Sequence, residues 1–180
     1  MKRLGHWSSW LLVVSCAVVA GAIVSAHEHN AQTPAAGSPE FERIKTLVGV
    51  WHGTSTTGDR QEPATVEYRL TSGSSAVMET LFPGTPHEMV SVYFDRHGKL
   101  SMTHYCMLGN QPQMQVIGSG DHRLDFSLAA GSGIDQAAET HMHALTMTWT
   151  DPDHLSQAWT LFEGGKAKDT TTITLSRTHE

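Results

Sequence analysis

Alternation of apolar and polar residues with a period of two constrains this chain more than any other feature of its sequence. From residue 48 onwards, segments of seven to eleven residues alternate in this way, with turn-forming residues between them. Many short strands joined by short turns are typical of an up-and-down antiparallel barrel. We therefore predict an all-β, antiparallel up-and-down barrel of ten strands. They cover residues 48–57, 64–72, 75–82, 86–95, 99–107, 112–118, 122–129, 140–150, 153–163 and 169–178.

A short helix is predicted just before the first strand. Pro39 falls in its first turn, and Phe41, Ile44 and Leu47 lie on one helical face. Trp51 follows at the start of the first strand. We expect this helix and Trp51 to close one end of the barrel, so that a pocket opens at the other end.

The first 26 residues have the pattern of a secretory signal peptide. Two basic residues precede an apolar run, and the small residues at 24–26 match a cleavage site after Ala26. We expect an exported protein, periplasmic or secreted, with no membrane span in its mature form. An alternative is an outer-membrane lipoprotein, because residues 13–16 resemble a lipobox that would place a lipid anchor on Cys16.

The rest of the chain is predicted to form a linker and one domain. Residues 27–40 are rich in small residues, proline and glycine, which is typical of a flexible linker. The barrel domain occupies residues 41–180. Its single cysteine, Cys106, cannot form an intrachain disulfide, so the fold depends on its apolar core.

Charge argues against nucleic-acid partners. The chain has 12 basic and 18 acidic residues, and two of the basic ones but none of the acidic ones lie in the signal sequence. The mature part therefore carries ten basic side chains against 18 acidic ones. Such a domain has no basic surface for nucleic acids or anionic membranes, and a small-molecule ligand is the expected partner.

Hairpin registers predict which side chains face the barrel interior. Placing Asp95 opposite Lys99 matches apolar residues across the turn, whereas a slip of one residue loses the match. Glu79 is then predicted on the outer face. Three residues near the open end of this hairpin are predicted to point inward: Glu88, His104 and Cys106.

The second informative hairpin joins the strands 140–150 and 153–163. Placing Thr150 opposite His154 puts Leu145 beside Trp159 on an apolar inner face. This face also becomes polar at one end. The inward residues there are predicted to be His141, His143 and Glu163.

Both polar ends belong to the same end of a meander barrel, which predicts a pocket with an apolar bottom and a histidine-rich rim. The loop 108–112 lies at this end too. The predicted ligand-binding residues are Glu88, His104, Cys106, Asn110, Gln111, His141, His143 and Glu163.

Four of these residues could bind a metal. His104 and Cys106 are two apart on one strand, as are His141 and His143, so each pair faces one side. Imidazole and thiolate suit zinc or copper. The alternative is that these histidines are hydrogen-bonded rim or core residues.

Several motifs resemble a family of exported bacterial lipocalin-like domains of unknown function. Gly49-Val50-Trp51-His52-Gly53 resembles the Gly-x-Trp-x-Gly pattern of lipocalin-like and nitrobindin-like barrels. The more specific similarity is the run Thr103-His104-Tyr105-Cys106, which continues to Asn110-Gln111-Pro112. Glu79-Thr80-Leu81-Phe82-Pro83-Gly84 and His141-Met142-His143 also resemble that family.

The resemblance covers residues 41–177 and implies a closed antiparallel barrel without an established activity. Nitrobindin-like barrels bind haem through a histidine near the start of their last strand. Here that stretch, 169–173, has no histidine, so haem is not expected by that route.

The leading functional hypothesis is therefore an exported barrel that binds a small, partly apolar ligand. One alternative is a metal-binding protein or metal-dependent enzyme that uses zinc or copper at the same mouth. Another is an interaction module with a filled lumen. The chain has no Gly-x-Ser-x-Gly nucleophile motif and no phosphate-binding glycine loop, and enzymatic activity stays open.

Overall fold

The computed structural model describes residues 37–179, which form a closed antiparallel barrel of ten strands. This confirms the predicted all-β up-and-down barrel. A short helix, α1 (Pro39–Lys45), precedes it. The strands are β1 (Gly49–Thr57), β2 (Arg60–Thr71), β3 (Ala76–Leu81), β4 (Met89–Arg96), β5 (Lys99–Tyr105), β6 (Gln113–Gly120), β7 (Arg123–Leu128), β8 (His141–Asp151), β9 (His154–Glu163) and β10 (Lys166–Arg177).

The predicted signal peptide, the lipobox at Cys16 and linker residues 27–36 lie outside the described residues. Between residues 37 and 179, the only α-helix is far too short and polar to cross a bilayer.

Helix α1 begins at Pro39 because Ser38 caps it. The Ser38 hydroxyl accepts a hydrogen bond from the backbone N–H of Phe41 at 3.2 Å, which satisfies one of the free donors at the helix start. Phe41 and Ile44 are buried and pack in the same core as Trp51. The indole of Trp51 donates to the carbonyl oxygen of Leu47 at 2.7 Å. This end of the barrel is thus packed closed.

Arg177, the last residue of β10, packs from outside against this closed end, the floor of the barrel. Its guanidinium lies 4.3 Å from the centre of the Trp51 ring. It donates to the carbonyl oxygens of Val48 at 2.8 Å and Thr46 at 2.7 Å. Both carbonyls follow the last residue of α1, where no backbone N–H of the helix is available as a donor.

Strands β1 and β10 approach closely at Gly53. A Cβ atom added there would lie 1.8 Å from the backbone oxygen of Thr174. Glycine is therefore required by the contact that closes the barrel.

The register predicted between β4 and β5 is wrong by one residue. Arg96, not Asp95, pairs with Lys99. His97 and Gly98 both have positive φ, 54° and 74°, as in a two-residue hairpin turn of type I′. The slip reverses the predicted faces of β4.

Side chains of both β3 and β4 consequently lie on the face opposite to their prediction. Tyr93 and Ser91, rather than Val92 and Phe94, are the fully buried residues of β4. Glu79, predicted to face solvent, is completely buried, since it pairs directly with Ser91.

The register between β8 and β9 is as predicted in its central part. Leu145 pairs with Trp159 and Met147 with Gln157. A bulge between Met142 and Ala144 then shifts the pairing, so that Met142 instead of His143 lies opposite Leu161. A bulge adds one residue to one strand and changes which side chains face each side beyond it.

Candidate ligand pocket

A cavity of about 320 Å³ opens at the end of the barrel opposite to α1. Strands β3, β5 and β9 end there, and β4 and β8 begin there. Apolar side chains form most of its wall, with His104 and Cys106 as the titratable groups nearest its bottom. The wall includes Leu81, Met89, His104, Cys106, Met142, Trp159, Leu161 and Ile173.

Among the residues of this wall, His104 has a fully buried side-chain nitrogen without a hydrogen-bond partner. It is 1% exposed. Its Nδ1 lies 3.1 Å from the hydroxyl oxygen of Ser91, while its Nε2 has no hydrogen-bond partner. The imidazole lies against Trp159, with ring centres 4.6 Å apart. Burial lowers the pKa of His104 to about 4, so the ring is neutral at pH 7.

His104 terminates a row of inward side chains that crosses four neighbouring strands. Tyr68 of β2 pairs with Glu79 of β3, Glu79 pairs with Ser91 of β4, and Ser91 pairs with His104 of β5. Directly paired residues in an antiparallel sheet have side chains on the same face. The row therefore follows from strand register.

Glu79 is the centre of this row. The hydroxyl of Tyr68 donates to one carboxyl oxygen at 2.6 Å, and the hydroxyl of Tyr93 donates to the other at 3.0 Å. The amide of Gln157 also donates to Glu79, at 2.5 Å, and to the oxygen of Tyr68. Burial raises the pKa of Glu79, and these donors oppose that effect by stabilising the carboxylate.

The network reaches the pocket wall a second time through β9. The indole of Trp159 donates to the side-chain oxygen of Gln157 at 3.0 Å. His104 and Trp159 thus stand side by side on the wall, each with one polar atom tied to the buried network. Of these two side chains, His104 is the one with a polar atom, Nε2, left to meet a ligand.

Cys106 lies just beyond the end of β5 and is 8% exposed. Burial raises the pKa of its thiol, so the neutral thiol form prevails at pH 7 and the side chain adds apolar surface to the wall.

His141 and His143 do not face the lumen, and this part of the prediction is wrong. Leu161 lines the pocket, so its neighbour Phe162 faces outward, and His143 stacks on Phe162 with ring centres 3.8 Å apart. His141 pairs with Phe162, and its Nε2 lies within hydrogen-bond distance of Nδ1 of His143, at 3.2 Å. The bulge in β8 is the reason, because it turns Met142 inward instead.

His141 is nevertheless completely buried, whereas His143 is partly exposed. Nδ1 of His141 lies 2.7 Å from the carbonyl oxygen of Glu139. An N–H at Nδ1 donates to that carbonyl, which leaves Nε2 of His141 to accept from His143. Burial, and then the proximity of His141, lower the pKa of His143.

The other predicted site residues lie at the rim or outside. Glu88 is exposed and accepts from the backbone N–H of Gly84 at 2.6 Å. Glu163 is exposed and forms an ion pair with Lys168 at 2.5 Å. Neither is a pocket residue.

The mouth loop is held by Asn110. Its amide donates to the carbonyl oxygen of Thr140 at 2.9 Å. Gln111 is exposed and donates to the carbonyl oxygen of Gly109 at 3.2 Å. Both residues fix loop geometry in this structure, and neither lines the cavity.

The predicted convergence of His104, Cys106, His141 and His143 on one metal is wrong. Among residues 37–179, no group of three or more His, Cys, Asp or Glu side chains is arranged to hold a metal ion. The wall of the barrel separates the first pair, which lines the cavity, from the second pair, which stacks around Phe162.

Sequence reasoning missed the buried polar network. The available signal was Glu79 at the centre of Val77-x-Glu79-x-Leu81, because both flanking residues are apolar and buried. A carboxyl group on the apolar side of a strand requires buried donors, and tyrosines on neighbouring strands are suitable ones.

Comparisons with known proteins give only distant structural similarity. No family model and no curated protein matches the chain. A redesigned β-barrel is 13% identical with a TM-score of 0.37, over 76% of this chain and 95% of the other. A protein of unknown function from the DUF3598 family of Nostoc punctiforme PCC 73102 is 15% identical with a TM-score of 0.40, over 75% of this chain and 48% of the other. Both similarities are too distant to indicate a ligand.

Proposed function

We propose that this protein binds a small, partly apolar molecule in the pocket at the open end of its barrel. The observation that carries the proposal is the unequal packing of the two ends. Trp51 and α1 fill one end, whereas a cavity of about 320 Å³ opens at the other. Ligand pockets have volumes of about 300–1,000 Å³, so a compact ligand fits best.

The chemistry of the wall supports a ligand with one polar group. Leu81, Met142, Leu161 and Ile173 supply apolar contact. His104 supplies an unpaired nitrogen that is removed from water. A buried polar atom without a partner costs about 1–3 kcal/mol, and a bound polar group would recover part of that cost.

Native mass spectrometry of the protein purified from its own host tests this proposal. The wild type should carry a non-covalent mass. Leu161→Trp, which fills the pocket, should lose it. Leu70→Trp is the matched control because Leu70 is exposed on β2, and this variant should keep the bound mass. Retention by both variants would contradict the proposal, as would a wild type without bound mass that also binds no compact apolar probe.

We further propose that the barrel works after export, as a member of the exported lipocalin-like domains that its motifs resemble. The apolar run and small residues at 24–26 support cleavage after Ala26. The intact mass of the protein recovered from its host should correspond to a start at His27. A mass that includes lipid on Cys16 would instead favour the lipoprotein alternative.

A further inference from the structure

We infer that His104, Cys106 and Met89 form a binding site for copper(I) on one wall of the pocket. This site goes beyond the organic ligand of the proposed function. Its ligand set also differs from the four-residue metal site predicted from the sequence, because a methionine of β4 takes part and the histidines of β8 do not.

The register of β4 and β5 brings the three side chains together at the open end of the barrel. Val90 of β4 pairs with Tyr105 of β5. One further step along this antiparallel ladder places Met89 opposite Cys106, and His104 lies two residues before Cys106 on the same face. Opposite residues have Cβ atoms about 4.5–5.5 Å apart, and diagonal neighbours at about 7–8 Å are still within reach of long side chains. All three side chains line the cavity.

His104 supplies the nitrogen ligand. Its side chain is 1% exposed, and its Nε2 has no hydrogen-bond partner among the described residues. A neutral imidazole adopts either tautomer, and a metal on Nε2 selects the one with the proton on Nδ1. The hydroxyl oxygen of Ser91 lies 3.1 Å from Nδ1 and is placed to accept that proton's hydrogen bond. A partner of this kind on the other ring nitrogen is the usual support of a metal-binding histidine.

The two sulfur atoms select the ion. Cys106 binds as a thiolate, since its S–H bond breaks and the proton passes to solvent when the metal–sulfur bond forms. Met89 contributes a neutral thioether. Thiolate and thioether sulfur favour copper(I). Zinc prefers four ligands in a tetrahedron, and residues 37–179 contain no group of three or more His, Cys, Asp or Glu side chains arranged for a metal.

The charge of the wall also favours a monovalent ion. One thiolate and one copper(I) ion sum to zero charge, so the complex needs no buried counter-ion. A divalent ion with the same ligands would leave a positive charge beside Leu81, Trp159 and Leu161, which form an apolar surface around the site. An uncompensated charge in such surroundings is strongly unfavourable.

Anaerobic titration with copper(I) held by the chromophoric chelator bicinchoninate tests the site. The wild type should remove one equivalent of copper(I) from the chelator. Loss of a residue that only orients a ligand costs about 10–100-fold in metal affinity, so Cys106→Ser and His104→Leu should each weaken binding at least about 100-fold. Met89→Leu should weaken it about tenfold or more.

Met78→Leu is the matched control for the methionine. Met78 lies on the outside of β3, where its sulfur contacts Nη2 of Arg69 at 3.3 Å. This variant should keep the wild-type affinity for copper(I). Urea denaturation of each variant shows whether it is folded.

X-ray absorption of the copper(I)-loaded wild type tests the ligand set without any substitution. The spectrum should fit one nitrogen and two sulfur neighbours. Nitrogen or oxygen neighbours alone would overturn the inference, and so would absence of copper(I) uptake or unchanged affinity in folded Cys106→Ser or His104→Leu. Unchanged affinity in Met89→Leu would overturn the three-ligand site. Each of these failures would leave the organic ligand of the proposed function standing, since native mass spectrometry tests that separately.

Discussion

Burial of His104 should make the protein sensitive to acid in a defined pH window. The folded protein keeps this imidazole neutral, because burial lowers its pKa from 6.5 to about 4. The unfolded chain takes up a proton near the ordinary value. As the pH falls below 6.5, the unfolded state therefore binds a proton that the folded state does not, and stability decreases.

The magnitude follows from the two pKa values. Above pH 6.5 the protonation of His104 does not lower the free energy of unfolding. Between pH 6.5 and 4 the free energy of unfolding falls as the unfolded chain takes up the proton, and below pH 4 this effect of His104 changes no further. The difference between the two pKa values corresponds to a change of about 3 kcal/mol in the free energy of unfolding. This is a large part of the roughly 5–15 kcal/mol by which domains are stable.

Urea denaturation of the wild type and of His104→Leu at pH 7.5, 6, 5 and 4 measures this term. Other titrating groups are common to both proteins, so the difference between the two free energies of unfolding isolates His104. That difference should move by about 3 kcal/mol in favour of His104→Leu between pH 7.5 and 4. The matched control is His97→Asn, because His97 lies in an exposed turn with positive φ, which Asn tolerates. Parallel pH profiles of wild type and His104→Leu would refute the argument.

Two further predictions concern the closed side of the barrel. Trp51→Ala should lower the free energy of unfolding by about 3–5 kcal/mol, as is typical of buried aromatic residues, and an unchanged urea midpoint would show that Trp51 is not part of the floor. Gly53→Ala should lower the free energy of unfolding by about 1–3 kcal/mol or more, because the added Cβ would overlap the backbone oxygen of Thr174. Gly120→Ala, where an added Cβ meets nothing within 4 Å, is the comparison in thermal denaturation, and equal melting temperatures would contradict the close approach.

The strands could be predicted because alternation reports burial on one side. The register of β4 could not, since Val92 and Phe94 are as apolar as Tyr93 on the opposite face. Turn geometry decided between them: His97 and Gly98 both adopt positive φ and form a two-residue turn. The predicted register counted Arg96 as part of the turn, and this shifted β4 by one residue relative to β5.

The candidate site was predictable only where the alternation is unbroken. His104 and Cys106 lie on a regular strand end, and both line the pocket as expected from the pattern. His141 and His143 also lie two residues apart, but the bulge between Met142 and Ala144 reverses their side. Nothing in the residue types around this bulge distinguishes it from regular strand.

The pairing of β1 with β10 has a consequence for folding kinetics. Nine of the ten strand pairings join neighbours in the sequence, most of them through short connections. The tenth must bring the two ends of the domain together, at the entropic cost of closing the longest loop in the fold. Contacts of this kind raise contact order and slow folding. We therefore expect an open, curved meander to form early, and the step that unites Trp51 with Arg177 to limit the folding rate.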